Sequence, residues 1–164
     1  MTRDFKFYDS GYASELNAST PITKPPASYI FTPVYRIEIP NVKAGDLIDA
    51  SAYGQVTNNN GVISNPTGTN VMAAFGIWLG AAAGAETTKL TRPNGTNVDR
   101  LIHHLPVRSA GCWVAPQDYP VLVVAAYIYS ASSIAQPGWM LTIDEGYGAL
   151  QIKHWFTPAA IAAE

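Results

Sequence analysis

Val121-Leu122-Val123-Val124-Ala125-Ala126-Tyr127-Ile128-Tyr129 is apolar on both faces of the pleat it would form as a strand. A strand with one wet face alternates apolar and polar residues, whereas a strand covered on both faces does not. The run is far shorter than the ~20 residues a membrane-spanning helix needs. It lies inside a stretch without any charged residue, Tyr119 to Ile143, and a second such stretch runs from Ala50 to Ala85. The second stretch joins a two-faced apolar strand to a polar, uncharged loop. A two-layer sandwich covers only one face of each sheet. The remaining face of 121–129 therefore needs a loop, an N-terminal arm or another subunit, and another subunit is the expectation.

Outward from this strand the chain continues as short strands and turns. Tyr35, Ile37 and Ile39 alternate with Arg36 and Glu38, a half-exposed strand that Pro40 should end. Val42 to Asp46 forms a turn, with Gly45 supplying a positive φ. In the strand from Leu47 to Val56, Ile48, Ala50, Ala52 and Val56 share a face. From Asn70 to Leu79, Phe75, Ile77 and Leu79 face one way while Gly76 and Trp78 face the other. Glu86 to Arg92 reads as a short polar strand and Pro93-Asn94-Gly95 as a tight turn. Val98–Leu105 and Val107–Val114 are strands interrupted by Pro106. Trp139–Ile143 and Ala149–Phe156 follow, around a turn at Gly146-Tyr147-Gly148. Eight to nine short strands with turn residues between them indicate an all-β antiparallel sandwich of jelly-roll type. A nine-stranded immunoglobulin-like sandwich is the alternative.

Residues 1–32 are rich in Pro, Ser, Thr and Asn and read as an extended N-terminal arm. Residues 33–157 form the sandwich domain and 158–164 a short tail. Phe5, Phe7, Tyr8 and Tyr12 would dock the arm on a neighbouring subunit, and Leu122, Val124 and Ile128 would contribute to an interface from the apolar strand.

Composition narrows the function. At 164 residues the chain makes one domain that buries roughly 70% of its unfolded surface, without help from disulfide or metal. Apolar residues make up 48%, with four Trp and nine Tyr, which excludes disorder despite twelve Pro and thirteen Gly. Charged residues are only 13%, against about 25% in ordinary domains, so less surface than usual is expected to face water. A net charge of −2 without a basic cluster argues against a nucleic-acid partner. The lone Cys112, between Gly111 and Trp113, reads as a small buried apolar residue. The first nine residues are polar and aromatic, without the apolar core of a secretory signal, so a soluble protein made in a cytoplasm, with no membrane partner, is expected.

No catalytic constellation emerges. His103 and His104 are adjacent, so on a strand they point to opposite faces and cannot chelate one ion together. His154 lies in an apolar strand and should pack with a satisfied hydrogen bond. Asp144 and Glu145 diverge at a turn. Ser109, Ser130, Ser132 and Ser133 lack a nucleophile context, and Gly76, Gly80 and Gly84 lie in a β pattern rather than before a helix. Asn17-Ala-Ser and Asn94-Gly-Thr match glycosylation acceptors by composition alone. Trp78, Trp113, Trp139 and Trp155 sit at strand positions, favouring core over sugar stacking. No cofactor or metal is expected.

Ile39-Pro-Asn-Val-Lys-Ala-Gly-Asp46, Asn97-Val-Asp-Arg-Leu-Ile-His-His104 and Asp144-Glu-Gly-Tyr-Gly148 resemble segments of small all-β structural proteins of tailed bacteriophage virions, of head-decoration, spike or tail-associated type. The resemblance covers residues 34–156. It implies a non-enzymatic, trimeric virion protein whose partners are copies of itself and a major capsid or tail protein. A capsid decoration or cement protein is the leading expectation. A receptor- or glycan-binding tail-tip or fibre module, with contacts on the 58–70 and 80–97 loops, and a cupin-like metalloenzyme are the alternatives.

Overall fold

The computed structural model describes residues 5–9, 30–58, 71–91, 94–97, 105–132, 141–143 and 148–156. These hold ten strands: β1 (Phe5–Asp9), β2 (Ile30–Val42), β3 (Leu47–Asn58), β4 (Val71–Gly80), β5 (Thr88–Lys89), β6 (Asn94–Asn97), β7 (Leu105–Val114), β8 (Tyr119–Ser132), β9 (Leu141–Ile143) and β10 (Ala149–Trp155). One sheet runs β1-β10-β3-β7 with β9 also on β3, and the other runs β2-β8-β4-β5 with β6 also on β4. Every pairing is antiparallel.

The pairings nest. β1 joins β10, β2 joins β8, β3 joins β7, and β4 joins the broken pair β5 and β6. A long hairpin rolled over itself in this way is a jelly roll. The immunoglobulin-like alternative is excluded, because that fold distributes its strands between the sheets in a different order.

Prolines that the sequence suggests as strand ends lie within strands instead. β2 passes through Pro33 and Pro40, and β7 through Pro106. Both strands are sheet edges, where a missing N–H can face solvent without breaking a ladder. At Pro33 the β2–β8 register also slips, placing a bulge between Pro33 and Tyr35. Asn94 and Gly95, expected in a tight turn after Pro93, instead begin β6, paired with β4; Pro93 lies outside the described residues. Of the polar strand expected over 86–92, Thr88–Lys89 alone forms a strand among the described residues. Gly45 does supply a positive φ, of 87°, in the turn between β2 and β3.

The core lies between the sheets. Tyr35 and Ile39 from β2, Ile48, Ala50, Ala52 and Val56 from β3, and Phe75, Ile77 and Leu79 from β4 meet Leu122, Val124, Ala126 and Ile128 from β8 and Leu150 and Ile152 from β10. Burial of each large aliphatic side chain contributes about 1.5–3 kcal/mol.

At Val123 and Ala125 the second face of β8 is covered by the chain itself. Val123 and Ala125 are buried at 1% and 0% exposure yet stand outside the intersheet core. Ala125 is flanked in register by Arg36 and Trp78. Beyond β4, the small residues Ala81–Ala85 turn back sharply: Ala85 N–H donates to Ala82 C=O at 3.1 Å, and Gly84 takes φ 84°. The returning chain lies so close to Gly80 that a Cβ there would stand 2.4 Å from Ala85 O. This lays Glu86 between β2 and β8, where its carboxylate bonds Arg36 and Tyr127. Val121, 37% exposed, is open at one end of this face.

Candidate interaction surface

Among the described residues, β1, β2, β7 and the β5/β6 side of β4 stand at sheet edges, and they are protected unequally. Unpaired strand edges invite pairing with other chains unless Pro, charge or shortness blunts them. β2 and β7 carry proline, and the edge beside β4 is split into β5 and β6, of two and four residues. β1, Phe5-Lys6-Phe7-Tyr8-Asp9, carries no proline. Its two charges are both engaged: Lys6 Nζ lies 6.0 Å from the Phe156 ring centroid, and Asp9 accepts a 3.1 Å hydrogen bond from Gln151 Nε2.

One row of the outer face beside this edge is apolar. Phe5 stands opposite Trp155, Trp155 opposite Leu47, and Leu47 opposite Val114, forming one row across the sheet. The Phe5 and Trp155 rings are 4.7 Å apart. Phe5, Phe7 and Val114 are 50%, 53% and 57% exposed. Scattered exposed apolar residues are ordinary, whereas a contiguous row on an open edge marks a contact surface.

Two polar clusters fix the surrounding elements. Asp46, in the β2–β3 turn, and His154, on β10, are both buried, with Asp46 Oδ2 2.8 Å from His154 Nε2. The same carboxylate oxygen accepts the Lys43 N–H at 2.8 Å. The carboxylate can only accept, so the proton of the pair sits on Nε2, and the buried Nδ1 has no hydrogen-bond partner. His154 thus packs as the sequence suggests, with one nitrogen satisfied.

The second cluster joins Arg36, Glu86 and Tyr127. Arg36 Nε donates to Glu86 Oε1 and Tyr127 Oη to Oε2, each at 2.7 Å. Burial alone would raise the Glu86 pKa. The hydrogen bonds from Tyr127, Arg36 and its own backbone, together with the Arg36 charge, outweigh burial and hold it below its ordinary value. Trp78 meets Tyr127 edge-on at 5.3 Å and completes the cover.

Of the residues expected at an interface, Phe5 and Phe7 are half-exposed and Tyr8 is half-buried, packed against the core. β1 joins β10 of its own chain, and Tyr12 lies outside the described residues. Leu122, Val124 and Ile128 do not reach the surface: at 1%, 0% and 0% exposure they fill the intersheet core, so the expected surface role is corrected. Alternation along β8 selects which residues face in, and a run apolar on both faces cannot reveal that choice.

Cys112 also departs from expectation, because it is exposed. The inward residues of β7 are Val107, Ser109 and Trp113, so Cys112 falls on the outer face, its Sγ 3.7 Å from Asp49 Oδ1. Desolvation, then the Asp49 charge and hydrogen bond, raise the thiol pKa. His103, His104, Asp144, Glu145 and Trp139 lie outside the described residues. Among the described residues, no three His, Cys, Asp or Glu side chains gather as a metal site, and no helix is long and apolar enough to cross a membrane. Sequence reasoning missed the apolar row. Its signal was available in the strand parity of Leu47, Val114 and Trp155, but those residues come from three separate strands whose register only the fold sets.

Strand order and pairing define the chain as a jelly-roll β-sandwich protein. No family model matches it, and no curated protein is similar to it. Among solved structures, a chain in the structure of infectious bursal disease virus, Gx strain, aligns with 98% of this chain and 33% of its own length, at 10% identity and a TM-score of 0.46. This chain therefore spans about a third of the length of that one.

Proposed function

We propose that this jelly roll is a non-enzymatic structural protein of a virion, a decoration or cement subunit that associates as a homotrimer and attaches to a major capsid or tail protein. The observation carrying this reading is the pairing of an unblunted edge strand, β1, with the exposed row Phe5–Trp155–Leu47–Val114. Edge and row are continuous, so one partner can take main-chain hydrogen bonds from the strand and bury the aromatic side chains beside it. Jelly rolls recur among capsid proteins, lectins and cupins, and fold alone does not choose between them. The contact surface favours assembly.

Native mass spectrometry and co-sedimentation with purified particles test the reading. The expected result is a trimer that pellets with particles. The Phe5→Ser/Phe7→Ser double variant should keep its fold and lose association, since both side chains are half-exposed. A monomer at all concentrations that never attaches to a particle would overturn the proposal.

A further inference from the structure

A trough crosses the outer face of the sheet that contains β3, away from the apolar row. In register, Gln151 stands opposite Ser51 and Ser51 opposite Ala110, a row with two small residues. On one side of that row stand Tyr53 and Arg108, paired across β3 and β7; on the other stand Lys153, Asp49 and Cys112. Two small side chains between bulkier rows leave a cleft of about 460 Å³ lined by Ser51, Tyr53, Arg108, Ala110 and Gln151 among others. That volume falls within the roughly 300–1,000 Å³ of small-ligand sites.

The charges around the cleft are unequally matched. Lys153 faces Asp49 across the strands, and Asp9, at the far end, accepts a hydrogen bond from Gln151. Arg108 has Tyr53 across from it and Pro106 and Ala110 as its same-face neighbours on β7, none of them acidic. Among the described residues no ion pair or hydrogen bond engages its guanidinium. A guanidinium fork matches a carboxylate in two parallel hydrogen bonds. The Ser51 hydroxyl and the Gln151 amide offer donors and acceptors suited to hydroxyl groups.

We propose that this trough binds a polyhydroxylated carboxylate, the chemistry shared by acidic sugars and small hydroxy acids, with Arg108 holding the carboxylate and Ser51 and Gln151 meeting the hydroxyls. The test is ligand-observed NMR titration of the full chain with four probes: the methyl glycoside of N-acetylneuraminic acid, methyl glucuronide, citrate and neutral methyl glucoside. Two variants accompany it, Arg108→Gln, which removes the charge, and Ala110→Leu, which fills the floor. Both positions are exposed, and melting curves confirm that the variants fold.

At least one carboxylate should bind and methyl glucoside should not; Arg108→Gln should weaken binding by roughly tenfold or more, as expected for loss of a charge-assisted hydrogen bond, and Ala110→Leu should weaken it by occupying the cleft. Binding of the acidic glycosides without citrate identifies a sugar as the source, and binding of citrate alone identifies a hydroxy acid; either supports the site. Failure of all three carboxylates to bind, equal binding of methyl glucoside, or binding unchanged in both variants overturns it.

Discussion

Replacing Glu86 by Gln tests whether the chain closes the outer face of β8 by itself. The Glu86 side chain is fully buried and accepts hydrogen bonds from Arg36 and Tyr127 at 2.7 Å each. Gln keeps an oxygen for Tyr127 but turns its amide donors toward a guanidinium that can only donate. The loss is one charge-assisted bond, intrinsically about 1.5–3 kcal/mol. Arg36 is 33% exposed, so solvent screens part of it. The expected cost at pH 7 is about 1–2 kcal/mol, or roughly 3–6 °C in Tm for a domain of this size.

The same carboxylate predicts the pH dependence. Its pKa is lower folded than in the unfolded chain, where it takes its ordinary value near 4.5. Between the two values the unfolded state binds more protons, so stability rises with pH there. The advantage of wild type over Glu86→Gln is therefore complete above pH 4.5 and disappears as pH falls through the folded-state pKa. Urea denaturation followed by tryptophan fluorescence, at pH 7 and in steps down to pH 3, measures both quantities. A variant as stable as wild type at pH 7, or a difference that stays constant down to pH 3, would refute the reasoning.

Gly148→Ala should destabilise by about 1–3 kcal/mol, because a Cβ there would stand 2.2 Å from Tyr35 Oη and 2.6 Å from Tyr53 O; thermal melts should show partial rescue by Tyr35→Phe. Tyr35→Phe alone should be neutral or stabilising, since that buried hydroxyl has no hydrogen-bond partner, and burial and the Tyr53 charge push its pKa up to about 12. Asp46→Ala should cost about 1–3 kcal/mol in denaturant titrations by leaving His154 Nε2–H buried without its acceptor. Cys112, exposed but raised in pKa beside Asp49, should react slowly with a disulfide reagent at pH 7.5, and Asp49→Asn should accelerate the reaction.

Much of the architecture follows from the sequence because period-two alternation is local. Ile48, Ala50, Ala52 and Val56 share a face whatever lies opposite, and the core contains all four. Ala-Gly-Asp at 44–46 names its own turn. Where alternation fails, so does local inference. Val121–Tyr129 is apolar on both faces, and nothing within it says that Leu122, Val124 and Ile128 fill the core while Val121 stays open. Prolines mislead for a related reason: whether one ends a strand or lies on an edge depends on neighbours far away in sequence.

The uncharged strand thus fixed its own conformation and its need for cover on both sides, since both are properties of side-chain chemistry and the pleat. What covers it was a tertiary decision. Glu86 reaches its position because Ala81–Ala85, with Gly84 among them, let the chain double back, and it remains ionised there because Arg36 from β2 and Tyr127 from β8 converge on it. The same holds for the row of Phe5, Trp155, Leu47 and Val114, whose members lie on four strands and become neighbours only through register. Local pattern determines which residues are apolar and how they alternate, but long-range pairing determines which of them water still reaches.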